Sequence, residues 1–152
     1  MKSVIEKSKG APFDIFEQLD APEILDYLIS DLSLNAIFVN NLFETSIRTI
    51  ITCDVCNQEN IKEESVSIIH LQTLPSIQKG LDTYLGCEYL TFNNSPYCHF
   101  CSDKNPATIQ KEVSSCGSYL IIQLQRFKVI EGNASKDASI VKVFPETPLL
   151  TV

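Results

Sequence analysis

Hydrophobic and polar positions along the chain change their period several times, and each change marks an element. Over residues 21–34, Ile24, Leu25, Leu28, Ile29 and Leu32 recur at helical spacing, which predicts an amphipathic helix with one buried stripe. Glu23, Asp26, Ser30 and Asp31 point away from that stripe. Asp20 stands where an N-cap is needed, Pro22 suits the first turn, and Glu23, three residues after Asp20, is placed as a capping-box partner. From Ile47 to Thr52 the period shortens to two, predicting a strand that runs into Cys53, with its return strand at 65–71 beyond the polar Asn57-Gln58-Glu59-Asn60. Ile77, Leu81, Tyr84 and Leu85 predict a short helix that starts at Pro75-Ser76 and stops near Gly86. Further strands are expected at 88–92, at 119–127 and at 140–144, the last closed by Pro145. The stretch 119–127 is the most apolar and reads as the central strand. Helices and strands in this order make an α+β fold.

Cysteine spacing adds chemistry to that frame. Cys53-Asp54-Val55-Cys56 is answered by Cys98-His99-Phe100-Cys101, and two C-x-x-C pairs supply the four thiolates of a tetrahedral structural zinc site. The 41 residues 57–97 between them exceed the roughly 15–20 of a compact zinc ribbon, so a folded insert must lie between the knuckles. A thioredoxin-like redox pair, or simple buried thiols, would not require two equal pairs. Cys87 is left as a structural residue, His70 as a strand residue and His99 as a solvent-facing knuckle residue, with substitution of His99 for a cysteine ligand as its alternative.

With 152 residues and 44% hydrophobic content, the chain is long enough for one domain with its own core. Its formal net charge of −7 argues against a nucleic-acid partner, which calls for a basic stripe, and favours a basic partner surface. No run of eighteen apolar residues and no signal-peptide pattern is present. The expectation is therefore an intracellular protein, cytoplasmic or nuclear, without membrane contact, in which reduced cysteines serve a metal rather than disulfides. Residues 1–17 read as a lead-in, broken at Gly10-Ala11-Pro12.

Several blocks, taken in order, carry a likeness beyond their individual chemistry. Gln18-Leu19-Asp20-Ala21-Pro22-Glu23-Ile24-Leu25 resembles a Gln-x-Asp-Ala-x-Glu-Phe-Leu helix start. Asn41-Leu42-Phe43 leads into the two C-x-x-C pairs. Tyr119 to Phe127 is similar to a Leu-Ile-Ile-His-Leu-Lys-Arg-Phe strand, and Val143-Phe144-Pro145 to Val-x-Phe-Pro. Together, from about Gln18 to Val152, they resemble the ubiquitin-specific protease family of deubiquitinating enzymes. The resemblance implies a partial papain-like cysteine protease fold, with a helical segment over 18–45, a zinc fingers region over 46–115 and palm strands over 116–152. Zinc would be held by Cys53, Cys56, Cys98 and Cys101 as a structural ion. The fingers would grip the body of ubiquitin, while Asp20 and Glu23 would line the channel for its basic C-terminal tail.

The departures from the family bear on catalysis. Its catalytic cysteine belongs to an Asn-x-x-Cys-Tyr segment ahead of the helix, and residues 1–17 contain no cysteine. Its general-base histidine follows the Phe-Pro strand, and the sequence stops seven residues after Pro145. No motif places His70 or His99 beside Cys87 or Cys116, so no catalytic residue is assigned. Ile24 for Phe, Gln123 and Gln125 for His and Lys, and Cys116-Gly117 for Leu-Pro mark a divergent member, with ubiquitin or a ubiquitin-like modifier as ligand. The expected role is ubiquitin recognition within a deubiquitinase, the chain being inactive alone. The alternatives are a catalytically dead ubiquitin-binding pseudoprotease and a zinc-ribbon scaffold for another protein.

Overall fold

The computed structural model describes residues 20–36, 38–130 and 133–143, together with positions 6, 10 and 12. Gln18, Leu19, Phe144, Pro145 and most of the 1–17 lead-in lie outside the described residues. Helix α1 spans Ala21–Asn35 and α2 spans Phe38–Phe43. Four strands then form an antiparallel sheet in the order β2-β1-β7-β4: β1 is Thr45–Cys53, β2 Glu59–Val66, β4 Glu88–Leu90 and β7 Ala107–Cys116. Strand β3, Ile68–Gln72, leaves that sheet and runs parallel to β8, Ile121–Gln125. Helix α3, Ile77–Tyr84, packs on β3. Two ribbons complete the described fold: β5 (Tyr97–Cys98) with β6 (Asp103–Lys104), and β9 (Phe127–Ile130) with β10 (Asn133–Lys136).

The core forms where the sheet meets β3 and α3. Ile47 of β1, Ile69 and Leu71 of β3, and Ile77 and Leu81 of α3 are all buried together. Val66, Val113, Leu120, Ile122 and Leu124 pack around them, so one apolar cluster ties β1, β2, β3, β7 and β8 to the short helix. Ser76 starts α3 as expected of an N-cap, its hydroxyl accepting from the Lys79 N–H at 3.1 Å. Helix α1 contributes less than its periodicity predicts. Ile29 is buried, but Leu32 is 54% exposed.

Four expectations need correction. The return strand of the first hairpin is β2 at 59–66, not 65–71. Ser67 breaks the stretch, and the residues beyond it pair with β8 instead. Strand β2 is an edge with exposed, acidic side chains, and its stability comes from the ladder to β1, which hydropathy does not report. The strand at 107–116 has no counterpart in the periodicity, since its apolar residues Ile109 and Val113 are four apart, yet it lies inside the main sheet, paired to β1 along its whole length. The 119–127 strand pairs, among the described residues, with β3 alone. It is interrupted at Arg126, whose guanidinium donates to the carbonyls of Asp137 at 3.2 Å and Ser139 at 3.0 Å. At 140–143 there is no strand but a single bridge from Lys142 to Ser76, with the Lys142 carbonyl accepting from the Ile77 N–H at 3.0 Å.

The C-terminal end of α2 explains a departure seen in the sequence. The carbonyls of Asn41, Leu42 and Glu44 accept from the backbone N–H groups of Ser118, Tyr119 and Gly117, at 3.2, 2.8 and 2.8 Å. These bonds satisfy helix-end acceptors that have no partner within the helix. The approach is so close that a Cβ on Gly117 would stand 2.6 Å from the Leu42 carbonyl oxygen and 2.9 Å from the Phe43 nitrogen. Both are backbone atoms, so neither can swing aside. Gly117→Ala should therefore destabilise the protein by about 1–3 kcal/mol. Gly80→Ala, whose Cβ would meet the Leu71 Cδ1 side-chain tip at 3.1 Å, should change stability by less than about 1 kcal/mol, because a helical alanine offsets the contact. Thermal denaturation of the two variants checks this order. Equal melting points would mean that the 117–119 segment does not seat on α2.

Candidate functional site: a four-cysteine cluster and an acidic cleft

The two knuckles are built alike. In the first, β1 ends at Cys53, and the loop closes when the Asn57 N–H donates to the Cys53 carbonyl at 2.8 Å. Asn57 takes a positive φ of 57°, which asparagine tolerates better than most residues. In the second, Ser102 follows Cys101 with a φ of 54° and returns the chain from β5 to β6. Each C-x-x-C turn thus ends on a left-handed residue, which tightens it enough to bring both sulfurs to one side.

The knuckles meet because β1 and β7 pair through Cys53↔Ala107. Beyond that pair the Asp54 N–H donates to the Pro106 carbonyl at 3.0 Å, and the Thr108 hydroxyl donates to Asp54 Oδ1 at 3.1 Å. The Sγ atoms of Cys53, Cys56, Cys98 and Cys101 then all lie within 4.8 Å of one another. Cys56 and Cys98 stand 3.6 Å apart, against about 2.0 Å in a disulfide and about 3.8 Å along the edge of a tetrahedron of sulfurs around zinc. The sequence-predicted ligands are thus together, spaced as a metal and not a disulfide would require, and the donor set fits zinc. The thiols differ in acidity. The backbone N–H of Cys101 faces the Cys98 sulfur and holds its thiol down to about 7, whereas hydrogen bonding with Cys56, together with burial, pushes Cys101 up to about 12.

At the opposite end of β1 lies a cleft of about 610 Å³ between α1 and the β2–β3 turn. Asp20, Glu23, Asp26 and Ser30 form its helical wall, facing Ser65 to Ile68, His70 and Gln123. Asp20 occupies the N-cap position, but its side chain does not cap the helix. Asp20 Oδ2 instead accepts from Gln123 Nε2 at 3.3 Å, and Glu23 Oε1 accepts from the Tyr27 hydroxyl at 2.6 Å. The capping-box expectation is therefore replaced by two carboxylates turned toward neighbouring side chains, at least one of them across the cleft. Asp26, read from the sequence as merely pointing away from the apolar stripe, lines the same cleft. Its spacing of three from Glu23 was the signal for it. No lysine or arginine is among the described lining residues.

The remaining thiols are not arranged for nucleophilic chemistry among the described residues. Cys87 is exposed, Cys116 Sγ stands 3.7 Å from Thr45 Oγ1, and no hydrogen bond joins either to a histidine. His70 Nδ1 contacts Gln123 Oε1, and the His99 ring packs edge-on to Tyr97. No helix among the described residues is long and apolar enough to cross a membrane.

Comparisons with known proteins agree with this geometry. Ubiquitin carboxyl-terminal hydrolase 25 of Arabidopsis thaliana is 27% identical over 139 residues, covering 79% of this chain and 21% of that protein. This chain thus spans about a fifth of the curated relative it matches. Among solved structures, the SAGA Ubp8/Sgf11/Sus1/Sgf73 DUB module bound to ubiquitin aldehyde is similar with a TM-score of 0.70 at 19% identity, over 84% of this chain and 31% of that one. The sequence profile of the ubiquitin carboxyl-terminal hydrolase family matches residues 1–149. With the fold, the four-cysteine cluster and the profile in agreement, the chain belongs to the ubiquitin carboxyl-terminal hydrolase family, the family of the ubiquitin-specific proteases.

Proposed function

We propose that this chain supplies ubiquitin recognition to a thiol-dependent deubiquitinating hydrolase. The observation that carries the reading is the acidic cleft: Asp20, Glu23 and Asp26 on one wall, with no lysine or arginine among the described lining residues to neutralise them. Such a wall favours a cationic peptide segment, and one helical turn separates carboxylates well enough for each to pair with a different basic side chain. The structural neighbour, which carries ubiquitin aldehyde, supports ubiquitin as the source of that segment, with its basic tail in the cleft and its body against the sheet. The nucleophile is not among the free thiols described above, so the chain's own part is binding and orientation.

In the same reading the four-cysteine cluster holds a structural zinc ion, which closes the finger tip and takes no part in bond cleavage. A tip made of two-residue strands has little apolar surface to bury, so metal coordination there replaces a core. A zinc-ribbon scaffold unconnected with ubiquitin accounts for the cysteines but leaves the acidic cleft without a role.

Two experiments test these assignments. Metal analysis of the purified chain should give one zinc per molecule, retained at neutral pH and released on acidification as protons compete for the thiolates. Cys53→Ser should abolish retention and loosen β5 and β6, seen as loss of amide dispersion at 97–104. Full metal retention by that variant would remove Cys53 from the site. For the cleft, titration of isotope-labelled ubiquitin with the chain should shift resonances of the ubiquitin tail. The Asp20→Ala/Glu23→Ala double variant should bind at least about tenfold more weakly, with greater loss at low salt and an unchanged melting point. Equal binding by the double variant, or a melting point that falls in step with affinity, would overturn the assignment of these carboxylates.

A further inference from the structure

The amide of Gln123 bridges the cleft between Asp20 and His70. Gln123 Nε2 donates to Asp20 Oδ2 at 3.3 Å, and Gln123 Oε1 contacts His70 Nδ1. A carboxylate only accepts hydrogen bonds, so the amide nitrogen must face Asp20 and the amide oxygen must face the histidine. That orientation in turn requires His70 to carry its proton on Nδ1. The backbone fixes half of the arrangement, because His70 and Gln123 are direct partners in the parallel pairing of β3 with β8. All three side chains line the acidic cleft. Asp20 itself sits at the N-cap but leaves the helix uncapped, so its orientation is set by Gln123 across the cleft and not by its own helix.

We propose that Gln123 is a positioning residue of the cleft: it fixes the Asp20 carboxylate, with His70 locking the amide the right way round, and thereby strengthens binding of a cationic tail. This rests on the reading of the cleft given above. A free aspartate loses rotamer freedom when a cation arrives, whereas one already held by an amide N–H has lost it beforehand. Oδ2 keeps a second lone pair and Oδ1 both of its own, so the carboxylate still accepts from an incoming guanidinium or ammonium group. The effect is modest, since the contact is single and solvent-exposed.

The test combines a spectroscopic readout with a double-mutant cycle. Ring-nitrogen NMR of the unmodified chain should show neutral His70 protonated at Nδ1, and in Gln123→Leu the proton should move largely to Nε2. Gln123→Leu should weaken ubiquitin binding by about three- to tenfold in an otherwise unmodified chain and change nothing in an Asp20→Ala background. Ubiquitin lacking its C-terminal tail should not distinguish the variants. His70 protonated at Nε2 in the unmodified chain overturns the proposal without any variant having to fold. So does a loss from Gln123→Leu that persists undiminished beside Asp20→Ala. Asp20→Ala binding ubiquitin as tightly as the unmodified chain would instead overturn the underlying reading of the cleft, an outcome recognisable because it precedes any effect of Gln123.

Discussion

The antiparallel register between β1 and β7 is the constraint on which the rest of the structure depends. At one end of the ladder Cys53 opposes Ala107, which sets the first knuckle against the exit of the second. At the other end Thr45 opposes Cys116, which delivers Gly117 to Tyr119 onto the open end of α2. A slip of one residue would turn every side chain of one strand to the opposite face. It would also move the Cys53 sulfur away from the other three and bury Arg48 where Ile47 now sits. The shift between Ser46 and Ile47 keeps both ends in place, because an extra residue on β7 is taken up there instead of being passed along the ladder.

The same ladder spaces the two sites. Val66 pairs with Thr45, and the cleft opens from that point, whereas the cysteine cluster lies at the far end of β1. Eight strand steps separate Thr45 from Cys53, a distance of about 27 Å. That length is comparable to a small globular domain, so in the proposed reading a partner held by its tail at the cleft would have its body alongside the sheet, with the four-cysteine tip at the far margin. The face of the sheet that carries Arg48, paired to Glu112 at 2.9 Å, is mixed and also exposes Ile61 and Tyr89. In the proposed reading such a mixed surface would add many modest contacts, while the cleft would carry the directional ones.

How much of this was legible in the sequence follows from which forces leave a local pattern. Helix α1 and the knuckles were legible because periodicity and C-x-x-C spacing are short-range signals. The order of blocks from Gln18 to Pro145 carried the family. Strand β7 was not legible, since a polar stretch such as Gln110-Lys111-Glu112 becomes a strand through pairing with β1, and pairing is a long-range property. The cleft was half legible. Asp20 and Glu23 were identified, but an N-cap position also suggests capping, and the sequence alone does not show that Gln123 lies across from Asp20, 103 residues further along. Asp26 was missed because one face of a helix reads as solvent until its neighbour is known.

The two ends of the molecule are held together by different physics, and this bears on how it behaves. Where β1 meets β3 and α3, Ile47, Ile69, Leu71 and Leu81 are almost wholly inaccessible, so hydrophobic burial stabilises that junction. At the finger tip Val55, Tyr97 and Phe100 remain exposed, and Cys53 and Ala107 are the buried apolar residues beside the cluster. Little apolar burial is available there to compensate the entropy of ordering the segments 54–58 and 93–106. In the proposed zinc site the four sulfurs would do by coordination what side-chain packing does at the other end. Because Cys53 is at once the last residue of β1 and one of the four clustered thiols, a metal held there would act directly on the end of the ladder. With zinc bound there as proposed, its removal should fray β1 and β7 from the tip inward, while the cleft, about 27 Å away beside the apolar core, should keep its shape.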